Sequence, residues 1–181
     1  STTKEGGEWT TDTLVPVWSA TKGPAAVTVL IALHEAGISL NDPVGDLWPE
    51  LLAAEEKGLN FGQLLAHQSG LAALDPGNRP SIHQHNEVVK ALEVQKPFWQ
   101  VGFGHGYHPR TSGALMDEVV RRVTKGTTLG QLWQEKVATP LGIDFHIGGL
   151  SAEVVERLAT IYPPKLIKSS DEEAAFYKAL G

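Results

Sequence analysis

Apolar residues recur at helical spacing through most of this chain and at strand spacing almost nowhere. Over residues 22–36 they are nearly continuous, at Ala25, Ala26, Val27, Val29, Leu30, Ile31 and Leu33. That run is too long for a strand, and Gly37 offers a stop, so it predicts a central, largely buried helix. Asn41, Asp42 and Pro43 read as a cap and first-turn proline opening a helical segment through Leu47, Trp48, Leu51 and Leu52 to Gly58. Asn60 caps a short helix, FGQLLAHQ, that stops at Ser69 and Gly70. After the turn-forming ALDPGNRP, residues 83–94 form an amphipathic pattern ended by Lys96 and Pro97. Beyond VGFGHGYHP, residues 109–123 put Ala114, Leu115, Val119, Val120 and Val123 on one face, and 128–137 predict a further helix. Strand signals are confined to DFHIGG at 144–149, an edge-strand pattern, and a weaker ATIYP at 159–163. The final SSDEEAAFYKALG reads as an acidic helix capped by Ser169 or Ser170. The expected class is therefore mainly α with a few short strands, in a single domain over residues 1–181, with no internal repeat.

Composition narrows what such a chain does. At 181 residues and 41% hydrophobic it can bury a sizeable core. Its 15 basic and 21 acidic residues give a net charge of −6, and the basic ones are scattered, which argues against nucleic acid and against an anionic membrane surface. No apolar run approaches the roughly 20 residues of a membrane span, and STTKEGGEW lacks the features of a signal peptide, so the reading is a soluble, cytoplasmic chain. The absence of cysteine excludes disulfides and thiolate chemistry.

One placement works against this plain picture. Lys22 heads the buried helix, where an unpartnered ammonium loses hydration at a cost of several kcal/mol. Ser19 lies three positions before it, so both side chains fall on one face, one turn apart, and the amine can reach the hydroxyl. Desolvation at an apolar helix start lowers a lysine pKa from its usual value of about 10.4, which would make the amine a base for the serine. The free N–H groups of the first turn would favour an oxyanion there. The plainer alternative is a surface lysine beside a capping serine.

Further segments in order alongside Ser-x-x-Lys decide between these. TLVPVWSATKG, then the text at 38–44, then LLAHQSGL, then FWQVGFGHGYHPRTSGALMDEVVRRVTKGTTLGQLWQEKVATPLGID resembles the serine β-lactamase and penicillin-binding-protein superfamily, with the nearest likeness to class C β-lactamase-like carboxylesterases of family VIII. The resemblance implies Ser19 as nucleophile, Lys22 as its partner in proton transfer, and Tyr107 as the tyrosine of the second motif. A tyrosine beside a lysine can take the serine proton and return it to the leaving alcohol, and either residue can be the formal base. The superfamily's second motif usually carries an asparagine two residues after its tyrosine or serine; here that position is Pro109, a departure that leans toward ester substrates over β-lactams. Trp18 and His108 are the expected substrate-binding residues. His83, His85, His105 and His108 have neither cysteine nor a third carboxylate at ligand spacing, so no metal is expected, and no cofactor either. VGFGHG is read as a tight turn presenting Tyr107, and His67, Ser69 and Gly70 as a structural helix stop.

The same resemblance implies a sheet that is hard to find. Only about 18 residues precede Ser19, and no Lys-Thr-Gly, His-Thr-Gly or Trp-Gly-Gly triplet, the third motif, follows Tyr107. LIKSSDE at 166–172 is a poor substitute. The chain accordingly reads as the helical part of the β-lactamase/transpeptidase-like α+β fold, with the sheet largely missing and the domain incomplete at both ends. The expected function is hydrolysis of short-chain carboxylic esters through an acyl-enzyme on Ser19. The alternatives are β-lactamase or D-amino peptidase activity, or a weakly active helical fragment that binds a complementing polypeptide or forms a homodimer.

Overall fold

The structure is a computed structural model, and it describes residues 8–55 and 58–161, with the side chain of Glu55 left out. These residues fall into two compact units, one of residues 17–150 and one drawn from both ends of the chain, up to residue 16 and from residue 151 onward.

In the larger unit a 3₁₀ turn, Trp18–Thr21, leads directly into α1, Lys22–Glu35. The expected burial of α1 holds on one side only. Ala25, Thr28, Val29, Ala32 and Leu33 are buried, whereas Val27 and Leu30 are 46% and 40% exposed. The predicted helix after Pro43 is two single turns, α2 (Val44–Leu47) and α3 (Leu52–Glu55). Pro49 explains the break, because the residue before a proline is pushed out of helical geometry, and Trp48 sits at φ −131° and ψ 71°. Helix α4, Phe61–Leu65, starts at the expected Asn60 through a reciprocal capping box: Gln63 N–H donates to Asn60 Oδ1 at 2.7 Å, and Asn60 N–H donates to Gln63 Oε1 at 3.1 Å.

Helix α5 spans His85–Val94 and α6 spans Thr111–Thr124; α5 buries Val88, Val89 and Leu92 but leaves Val94 exposed, and α6 buries Leu115, Val119 and Val120. Helix α7, Leu129–Trp133, has a second capping box between Thr128 and Gln131, and widens into π geometry over Gln134–Ala138 before a last turn, α8, Thr139–Leu141. Helix α1 packs against α6 and α7. The core is filled by Leu33, Trp48, Phe61, Leu92, Leu115 and Val119 among others, each 2% exposed or less. Burying one such side chain stabilises by about 1.5–3 kcal/mol.

Arg122 of α6 ties the periphery to this core. Its guanidinium meets Glu118 at 2.7 Å, Glu50 at 2.7 Å and Glu93 at 3.2 Å, and lies over the Trp48 ring, 5.0 Å from its centroid.

The expected edge strand at 144–149 does not form. Among the described residues no neighbouring strand is there to pair with it. Instead the Phe145 carbonyl accepts Trp133 Nε1–H at 2.8 Å and Gln134 Nε2–H at 2.9 Å. Among the described residues β structure is limited to isolated bridges, an antiparallel one between Pro43 and Asn60 in this unit and a parallel one between Leu14 and Leu158 in the smaller unit. In that smaller unit Leu14 N–H donates to the Arg157 carbonyl and Ala159 N–H to the Leu14 carbonyl, beside a short helix α9, Ala152–Glu156, capped by Ser151. The expected strand at 159–163 is described only in part, and the expected C-terminal helix and LIKSSDE lie outside the described residues.

Candidate active site

Ser19 is set in the 3₁₀ turn, Lys22 opens α1, and Tyr107 arrives on the irregular segment that precedes α6. The fold brings these three together. Lys22 Nζ donates to Ser19 Oγ at 3.1 Å and to the Pro109 carbonyl at 2.9 Å, and lies 5.0 Å from the centroid of the Tyr107 ring. The Tyr107 hydroxyl is hydrogen-bonded by the Ser19 and Lys22 side chains, and these contacts hold its pKa below the usual phenol value. A hydrogen bond to the ionised form favours ionisation, and the phenolate is that form. Pro109 has no side-chain donor or acceptor, yet it serves Lys22 through its carbonyl.

Trp18, immediately before the serine, has φ 52° in the left-handed region and is 76% exposed. A non-glycine residue there stores about 1–3 kcal/mol of strain. Trp18 and Lys22 line one side of a cavity of about 470 Å³, and Arg110, Met116, Arg121 and Gly148 contribute to the rest. Neither Ser19 nor Tyr107 lines it, so the cavity opens beside the lysine rather than over the hydroxyl pair.

His108 is not at this surface. It is fully buried, its Nε2 lies 2.9 Å from Ser69 Oγ, and its Nδ1 bonds the Gly106 carbonyl. That corrects the substrate-binding role expected from its place next to Tyr107: both ring nitrogens are engaged inside the protein. Burial is the main force holding its pKa below the ordinary histidine value, with the neighbouring His67 and His105 acting the same way and the Gly106 bond opposing.

The glycine-rich approach to Tyr107 has a packing cause. The Trp99 ring lies so close that a Cβ on Gly106 would be 2.5 Å from its Cη2, and one on Gly104 would be 2.9 Å from its Cδ1. Trp99 also meets His108 edge-on at 5.9 Å. Nothing in the spacing of the sequence marked Trp99 as a partner of this loop. His67, read from sequence as part of a helix stop, contacts the Tyr107 ring at 5.3 Å between centroids. The signal for it was the HQSG that follows a short capped helix, a place where the chain must reverse. Among the described residues no three histidine, aspartate or glutamate side chains converge as a metal site. No helix among them is long and apolar enough to cross a membrane.

The chain is 38% identical to a family VIII carboxylesterase of known structure, which it superposes with a TM-score of 0.78, covering 89% of this chain and 45% of that one. It is 31% identical to a penicillin-binding-protein homologue from Caulobacter crescentus, with a TM-score of 0.76, covering 89% of this chain and 43% of that one. A curated relative, the esterase/beta-lactamase LipL of Mycobacterium tuberculosis, is 32% identical over 164 residues, which is 90% of this chain and 38% of LipL. The chain thus spans less than half the length of these relatives, and what it shares with them is the helical part of the fold. A family model described as Beta-lactamase matches residues 2–177, and the chain belongs to the beta-lactamase family.

Proposed function

We propose that this chain carries the nucleophile and proton-transfer groups of a serine hydrolase acting on short-chain carboxylic esters. The observation that carries the reading is the meeting of Ser19 Oγ, Lys22 Nζ at 3.1 Å and the Tyr107 hydroxyl at one point of the surface. Ser19 Oγ attacks the ester carbonyl while its proton passes to the Tyr107 phenolate, which the Lys22 ammonium stabilises. Collapse of the tetrahedral intermediate breaks the bond to the alcohol, Tyr107 returns the proton to that oxygen, and water then releases the acid from Ser19 by the reverse sequence. The Ser19 and Lys22 contacts that lower the Tyr107 pKa ease formation of its phenolate and so favour that oxygen as the proton acceptor, with Lys22 bound at the same time to Ser19 and the Pro109 carbonyl. Ester substrates are favoured over β-lactams because Pro109 brings no amide side chain to the site, and carboxylesterase relatives support this choice.

Hydrolysis of a p-nitrophenyl ester, together with fluorophosphonate labelling, tests the proposal. Turnover and labelling by the wild-type chain that vanish in Ser19→Ala support it; equal turnover in the variant sinks it. A second reading rests on the exposed Val27 and Leu30 of α1: a slow site in a helical unit that pairs with a second copy or a complementing polypeptide. Sedimentation as a dimer, or a large gain in rate on adding such a polypeptide, supports that reading.

A further inference from the structure

We infer that His67 is the positioning residue of Tyr107, holding the main chain on both sides of the tyrosine and so aiming its hydroxyl at Ser19 and Lys22. The inference rests on the hydrolase reading for its kinetic consequences but not for its geometry. Gly106 N–H donates to the His67 carbonyl at 3.2 Å, and His108 N–H donates to His67 Nδ1 at 3.3 Å. One residue thus receives the backbone N–H groups immediately before and after Tyr107. Its ring also packs against the tyrosine, edge to face, at an interplanar angle of 68°. His67 itself is held at φ 60°, in the left-handed region that histidine, asparagine and aspartate tolerate better than most residues. It sits just beyond α4, where Gln68 N–H bonds back to the Gln63 carbonyl at 2.9 Å and anchors the turn.

The ring half of the clamp works only with an unprotonated Nδ1, since a ring carrying protons on both nitrogens has no acceptor to offer the His108 N–H. The groups facing His67 are His105, at 6.2 Å between ring centroids, His108, at 5.1 Å, Tyr107, and the charged Lys22. Burial first, then His105 and Lys22, hold the His67 pKa below the ordinary histidine value, so the neutral ring prevails at pH 7. Protonation in acid then removes the Nδ1 half of the clamp and leaves the carbonyl half.

Asparagine separates positioning from mere packing. Its Oδ1 can accept the His108 N–H in place of Nδ1, it tolerates the same backbone conformation, and it does not titrate. With ring-¹³C-labelled tyrosine, Tyr107→Phe assigns the Tyr107 signal among the three tyrosines of the chain. The expected result is a wild-type Tyr107 titrating below the ordinary phenol value, a return toward that value in His67→Ala, and a low value retained in His67→Asn. In ester turnover His67→Ala loses about 10- to 10²-fold in kcat with little change in KM. His67→Asn recovers most of that loss and has a less steep acid side to its pH profile than wild type. A folded His67→Ala whose Tyr107 still titrates low overturns the proposal. Should His67→Ala fail to fold, a Tyr107 that titrates normally in His67→Asn overturns it, and one that titrates low supports it. A wild-type chain without esterase activity but with this titration pattern removes the hydrolase reading and leaves the clamp standing.

Discussion

Tyr107 is half exposed, and yet its hydroxyl is engaged by both the Ser19 and the Lys22 side chains. Replacing it with phenylalanine removes one hydroxyl and no packing, so Tyr107→Phe should lower kcat by about 10² or more while melting stays within a degree or two of wild type. Wild-type turnover in the variant would reduce Tyr107 to a packing residue. The histidines behind it set a pH dependence of stability. Both His67 and His108 have folded-state pKa values below their unfolded ones, so the unfolded chain binds protons that the folded chain refuses. Their contribution is complete above the unfolded value of about 6.5 and is lost as pH falls below it toward the folded values. Thermal melts between pH 7.5 and 5 should show Tm falling, and His67→Asn should flatten the fall. At this scale the sequence pointed to Ser19, Lys22 and Tyr107 as neighbours, and the fold does bring the three side chains together, because residue types with complementary proton chemistry stood in recognisable surroundings. His108 misled, since adjacency along an irregular segment says nothing of which neighbour points inward. Pro109 was visible only as a missing side chain, and its carbonyl could not be read at all.

Among the elements, the helices with long apolar faces were the legible ones. α1, α5 and α6 start and end within a few residues of their expected limits, because periodicity and breakers agree there. The segment at 144–149 had a strand's alternation and became irregular, because a strand exists only through its partner. The loop 101–108 was read as a turn, but its glycines answer to Trp99. Gly106→Ala should therefore push the Trp99 ring, at a cost of about 1–3 kcal/mol, and displace Tyr107 along with it. Gly113, inside α6, is the contrasting case, since a methyl group added there would meet nothing within 4 Å. Gly113→Ala should stabilise by about 0.5–1 kcal/mol, because alanine is the better helix former. Chemical denaturation of the two variants side by side checks both signs, and equal effects would mean that Trp99 yields freely.

For the molecule as a whole, Arg122 joins α5, α6 and the connection between α2 and α3 through Glu93, Glu118, Glu50 and the Trp48 ring. Arg122→Ala leaves the largely buried Glu93 and Glu118 without that cation. Discounting for partial solvent screening, the loss should be about 1–3 kcal/mol, read as a lower denaturation midpoint with an unchanged slope. The hydrogen bond from Lys22 to the Pro109 carbonyl spans 87 positions of the chain. Closing so long a segment carries an entropic cost that the packing of α1 against α6 helps to offset, so Ser19, Lys22 and Tyr107 should meet late, after those helices have packed. On the proposed hydrolase reading, reactivity at Ser19 would then be a clock for folding. In a refolding time course, helical circular dichroism should recover first, and the capacity to take a fluorophosphonate label should lag behind it, reporting native molecules rather than merely compact ones.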